Sequence, residues 1–271
     1  MDGSPKGSEI RNWLAAGVLG IALAGGGYLV GLDSRPVPAP SPAPETIAKD
    51  PEPAPVPEAV LGRAGLLRIA AAAADRFAGG AAVTTPLAGR RFRVGIPFGC
   101  GSPSEGREPT GWSYDEQSQA LRIRVTPVDW TDAEWLASAV PEGAVDAVDG
   151  FWLPRPWTSS ERCPAEDAGT PRQSGSSVGL ARFFGTESDR SERRRGRPFE
   201  IVTKVEPDSV PRDGLQLVLE GRVAQLPGGT ASVHCHAASQ ADRPTCRIAV
   251  EFERIAVMDP NSGTELANWR L

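Results

Sequence analysis

The sequence predicts a mainly β fold, an antiparallel sandwich or open barrel with one flanking helix, preceded by a transmembrane helix and a proline-rich linker. Three observations carry that expectation. From Arg90 onward, apolar residues recur at every second position in run after run, the period of a half-buried strand. Strong turn signals separate the later runs, "PGG" at 227–229 and "DPNSG" at 259–263. Upstream, residues 13–32 carry no charge and residues 36–57 hold nine prolines, so neither stretch belongs to a globular core.

Residues 1–12 are a short stub with Lys6 and Arg11, cations that favour a cytoplasmic position. Residues 13–32, "WLAAGVLGIALAGGGYLVGL", would span about 30 Å as a helix, enough to cross a bilayer. Trp13 and Tyr28 stand near its ends, as interfacial aromatics do. Read as an uncleaved anchor, it places the chain in the inner membrane as a single pass with the C-terminal domain in the periplasm. The competing reading is a signal peptide cleaved after Ala24, where "ALA" is a small-x-small site. Both readings export the remainder. Gly17, Gly20, Ala24, Gly27 and Gly31 share one helix stripe, a seam through which the anchor would form a homodimer. Residues 33–57 form the linker. Its proline density favours polyproline II, with a reach of ~70 Å when extended.

Residues 58–80 read as a helix that packs on the sheet, with Leu66, Ile69, Ala73 and Phe77 on one face and Gly79–Gly80 as its stop. The β-rich domain then runs over 90–271. In 90–100, Phe92, Val94, Ile96, Phe98 and Cys100 alternate with Arg91, Arg93 and Gly95. Residues 111–130 read as a hairpin, and "TDAEW" at 131–135 as a capping box opening a short helix. "SVGLARFF" and "RPFEIVTKV" add two strands, and 215–226, 230–237, 245–257 and 264–271 add four more.

Four cysteines in an exported domain point to two disulfides. Strand phase selects the pairing. Cys235 is in phase with Ala231 and Val233, and Cys246 with Ile248, Val250 and Phe252. Setting Cys235 opposite Cys246 brings Val233 to Ile248 and His234 to Arg247, and leaves Cys100 to join Cys163. His234 and His236 are the two histidines of the chain. His-x-His on one strand face is a zinc-ligand spacing. The same phase puts them on the polar face with Arg247, Glu251 and Glu253, where a guanidinium disfavours a dication. The expectation is two surface histidines, no metal and no cofactor.

"GSSVG" at 175–179 matches G-x-S-x-G around Ser177, but a nucleophile elbow needs a strand before it and a helix after it. Here β-like residues follow. Asp146/Asp149 and Glu251/Glu253 are carboxylate pairs that nothing in the sequence places across a cleft, as acid–base work requires. No catalytic residue is therefore expected. Two stretches remain as binding candidates. Arg193, Arg194 and Arg195 lie in the loop "DRSERRRGRP" and would hold acidic groups. Trp152, Arg155 and Trp157 lie in "GFWLPRPW", an aromatic platform on a proline-stiffened loop. A net charge of −5 speaks against nucleic acid as a partner.

The stretches "IPFGCG", "GFWLPRPW", "ERCP" and "RRRGRPFE" resemble uncharacterised single-pass envelope proteins of alphaproteobacteria, over most of residues 58–271. That resemblance implies a location and carries no assigned activity. The sequence-level expectation is a membrane-anchored periplasmic binding or scaffold protein, with an envelope protein or cell-wall component as partner. The alternative is a periplasmic hydrolase.

Overall fold

The computed structural model describes residues 59–81, 87–100, 103, 108–153, 160–163, 178–239 and 241–271. The stub, the apolar span and the linker lie outside them, as do Arg155, Trp157 and Ser177. The described chain enters through Leu61, which bridges Phe92 in parallel, donating its N–H to Arg91 O (2.9 Å) and accepting from the Arg93 N–H (3.0 Å). That bridge holds residue 61 extended, so helix α1 (Arg63–Ala78) begins later than the expected residue 58. Leu66, Ala70 and Ala73 form its buried stripe, set by the 3.6-residue period. Phe77, expected on that face, is 42% exposed. Buried Arg63 donates to Gly95 O at 3.1 Å.

The strands follow as β1 (Arg91–Phe98), β2 (Gly111–Asp115), β3 (Ala120–Val125) and β4 (Val128–Asp129), then a single-turn helix α2 (Leu136–Ala139). After it come β5 (Ala147–Leu153), β6 (Val178–Phe184), β7 (Phe199–Lys204), β8 (Leu215–Val223), β9 (Val233–His236), β10 (Thr245–Met258) and β11 (Glu265–Arg270). The fold is mainly β, with two sheets and α1 at the flank. β2, β3 and β7 make a three-stranded antiparallel sheet; the larger sheet runs β1-β8-β10-β6-β5-β4, with β9 and β11 also paired to β10.

Strand β10 organises the larger sheet. Its first half lies between β9 and β6, and its second half between β8 and β11. A register shift between Phe252 and Arg254 separates neighbouring rungs on β8, where an extra residue bends a strand. The purely antiparallel sheet expected from sequence is corrected at one pair: β6 runs parallel to β10, Val178 beside Cys246. Inward residues of both sheets, among them Phe92, Leu121, Ile123, Leu180, Leu219 and Ile248, share one core with α1.

Both disulfides pair as expected, Cys235–Cys246 as strand phase predicts and Cys100–Cys163 as the remaining pair. The register is Cys235 opposite Cys246, His234 opposite Arg247 and Val233 opposite Ile248. Cys100 is not on the apolar face of β1, as expected, but exposed beyond the strand end, where Gly99 turns the chain with φ +61°. Gly214, with φ +88°, lies against the second bridge. A Cβ there would come within 2.5 Å of Cys163 Sγ and 3.0 Å of Phe98 O, so only glycine fits.

Candidate functional site

The outer face of the larger sheet, expected to be polar and solvated around His234 and Arg247, is covered instead. Residues 130–145 fold back over β4, β5 and β6, and Trp130, Trp135, Val148 and Ala181 form a second buried cluster, with Trp152 and Phe183 packed against it. Glycines prepare the bed for this cover. A Cβ at Gly179 would lie 2.9 Å from Trp130 Cη2, and one at Gly150 2.3 Å from Trp130 Cζ3. Without side chains at those two rungs, the Trp130 indole settles onto the strands. Trp152 then stands edge-on to Trp130 (centroids 5.0 Å, 78°), and Trp135 edge-on to Trp130 from another side (6.3 Å, 76°).

Arg247 projects from β10 into this aromatic cluster. Its Cζ lies 4.3 Å from the ring centroid of Trp135, 5.2 Å from Trp152 and 5.8 Å from Trp130. The residue is 7% exposed. Nε and Nη1 are buried with no hydrogen-bond acceptor among the described residues. Indole faces are negative in their quadrupole, and they stabilise a desolvated guanidinium where no carboxylate does. Burial pulls Arg247 down to about 10, so it remains a cation at neutral pH.

His234 lies beside it, its ring 5.8 Å from that of Trp135 and tilted by 30°. Burial, then the Arg247 charge, then His236 hold its pKa down to about 4. Ser138 Oγ is 3.3 Å from His234 Nε2 and donates to Trp135 O at 2.8 Å. As a Ser–His pair this is poorly built for hydrolysis. The hydroxyl proton is directed to a carbonyl, and an imidazole beside a guanidinium accepts a proton weakly. Among the described residues no three of His, Cys, Asp or Glu gather as a metal site.

The basic loop is also structural in this fold. Arg193 is buried and donates to Asp146 Oδ2 (2.9 Å), Gly185 O (2.8 Å) and Ser188 O (2.9 Å). The Arg194 and Arg195 N–H groups donate to buried Asp149 at 2.6 and 2.9 Å. The Arg194 guanidinium lies 4.0 Å above the Phe199 ring, and Arg195 donates its side chain to Asp146 O. Arg193 is buried, Arg194 half-buried and Arg195 exposed, and Asp146 and Asp149, taken as unplaced carboxylates, accept hydrogen bonds from this loop. Of the expected aromatic platform, Trp152 packs against Trp130 and Arg247.

Helix α1, which the sequence marked only as packing, carries what these loops do not. A groove of about 330 Å³ runs along one side of it. Its floor includes Leu87 and Val233 and its rim Arg68, Arg76 and Arg90. A second of about 310 Å³ runs along the other side, with Val178 and Cys246 beneath and Arg68 and Arg243 above. Arg68, Arg76 and Arg243 are exposed and form no ion pair among the described residues, whereas arginines on the larger sheet do, Arg93 with Glu220 and Arg222 with Glu253. The sequence signal for this surface was present in Arg68 and Arg76 on the polar side of the helix, but Arg243 is brought to it only by the fold. Comparisons of the chain with protein-family models, with curated proteins and with solved structures find no match.

Proposed function

We propose that the chain is a membrane-anchored binding or scaffold protein of the bacterial cell envelope, its β-rich domain exported and stapled by disulfides. The observation that carries this reading is α1. A helix bordered by two open grooves with apolar floors, where exposed Arg68, Arg76 and Arg243 form no ion pair among the described residues, is a surface suited to an acidic or amphiphilic partner. The two disulfides support an oxidising compartment, and the apolar stretch 13–32 supports the anchor. Hydrolysis is the weaker reading, because His234, depressed by Arg247, is a poor base.

The test has two arms. A reporter active only in the periplasm, fused after Leu271, is expected to be active, with the chain retained in carbonate-washed membranes. A photocrosslinker at Ala72, in the first groove, is expected to give discrete adducts in the envelope, while one at Glu200 on β7 gives none. An inactive reporter would end the export reading. Identical crosslinking from both positions would end the assignment of α1.

A further inference from the structure

We infer that the covering partner of α1 is the anionic bilayer surface itself, with lipid headgroup phosphates bound by Arg68, Arg76 and Arg243. This rests on the membrane-anchored reading above and names the ligand of the same surface. The three arginines are exposed and without ion pairs among the described residues, and Asp75 and Asp242 adjoin two of them in the chain. Val60, just before the helix, is 55% exposed. Exposed arginines on a tethered domain take the phosphates of an anionic bilayer surface. Guanidinium suits this role, since its planar donors match phosphate oxygens in pairs.

Chain order supports the same occupant. Helix α1 is the first element after the linker, which itself follows the apolar span. A short tether to a membrane holds the domain at millimolar-order effective concentration near that surface. A patch too weak to hold a free protein on a vesicle then suffices for a tethered one. The linker's ~70 Å reach is an upper limit on distance, so it permits docking as well as extension.

The experiment uses the full chain in vesicles of phosphatidylcholine, with or without phosphatidylglycerol, and reads hydrogen exchange along α1. Exchange is expected to slow only in the phosphatidylglycerol vesicles, and the protection to vanish at ~0.5 M salt, where headgroup charge is screened. Replacing Arg68, Arg76 and Arg243 with Gln in turn is expected to lower the docked-to-free ratio about fivefold at each step. If the chain resists carbonate extraction but α1 exchanges equally in both vesicles, the inference is overturned and the anchor stands. If carbonate extracts the chain, the anchor reading fails, and co-sedimentation of the free chain with phosphatidylglycerol vesicles decides: pelleting upholds the headgroup site, and its absence overturns it. Protection by poly-glutamate without any by anionic lipid would also overturn it, in favour of an acidic polypeptide.

Discussion

The Arg247 guanidinium lies 4.3 Å from the centre of the Trp135 ring, with Nε and Nη1 buried and no acceptor beside them among the described residues. A buried cation held by aromatic faces contributes little net stability, because its desolvation offsets the attraction. Arg247→Met keeps the packing and removes the charge, so it is expected to fall within about 1 kcal/mol of wild type in urea unfolding. Trp135→Ala removes the indole and leaves a cavity beside that charge, and is expected to cost about 3–5 kcal/mol. Equal losses for the two variants would show that the charge, not the packing, holds the cluster.

Gly179 is expected to resist the smallest enlargement. A methyl there meets Trp130 Cη2 at 2.9 Å and the Arg247 stem at 3.4 Å, so Gly179→Ala must displace the indole. Overpacking of this kind costs about 1–3 kcal/mol. Near-ultraviolet circular dichroism, which reports tryptophan packing, should change together with the urea midpoint. A loss of stability with an unchanged spectrum would place the strain elsewhere.

The two disulfides close loops of different length, with separations of 63 and 11 residues. Loop entropy alone assigns about 4 kcal/mol to Cys100–Cys163 and about 3 kcal/mol to Cys235–Cys246. Paired Cys→Ser variants, compared by urea unfolding, are expected to keep that order.

The tail hairpin was legible because strict alternation fixes which way each residue points, and two cysteines in phase with apolar neighbours admit one close register. Strand β5 was not legible. Six of its seven residues, Ala147–Phe151 and Leu153, are buried, so it shows no alternation, and it reads as the start of a proline-rich run. The parallel pairing of β6 with β10 joins segments far apart in sequence, and no local period reports it. His234 and Arg247 were assigned to the correct face, but the cover on that face was not visible: it comes from residues 130–145, whose only regular element is the single turn α2. The tryptophans were conspicuous in sequence, and the bare rungs at Gly150 and Gly179 that receive Trp130 were the unread half of the signal.

Arg193 is expected to matter for folding rather than for ligand retention. Its replacement by Ala leaves Asp146 and the Gly185 and Ser188 carbonyls without their donor, at a cost of about 2 kcal/mol. Arg194→Ala removes the contact over Phe199 and is expected to cost about 0.5–1 kcal/mol. Equal and negligible effects in urea unfolding would return the loop to the solvated class.

His234 sets a pH dependence whose sign follows from its surroundings. Trp135 and Ser138 pack against it, and burial, the Arg247 charge and His236 hold it at about 4, below its ordinary 6.5. Between those values the unfolded chain binds a proton that the folded chain refuses. The stabilisation is therefore complete above about pH 6.5 and is lost as the pH falls toward 4. Asp149 and Glu251, raised by burial, act in the opposite sense, since acid relieves their desolvated charge. The histidine's share is isolated by comparing wild type with His234→Gln, which keeps a polar group near Ser138 and cannot become a cation in this range. Urea midpoints measured from about pH 7 to about pH 4.5 are expected to fall more steeply for wild type. Trp135 fluorescence should change in the same interval, because a second cation beside Arg247 loosens the ring that both residues share. Parallel curves for the two proteins would mean that the imidazole is hydrated in the folded state and that the cluster does not depress it.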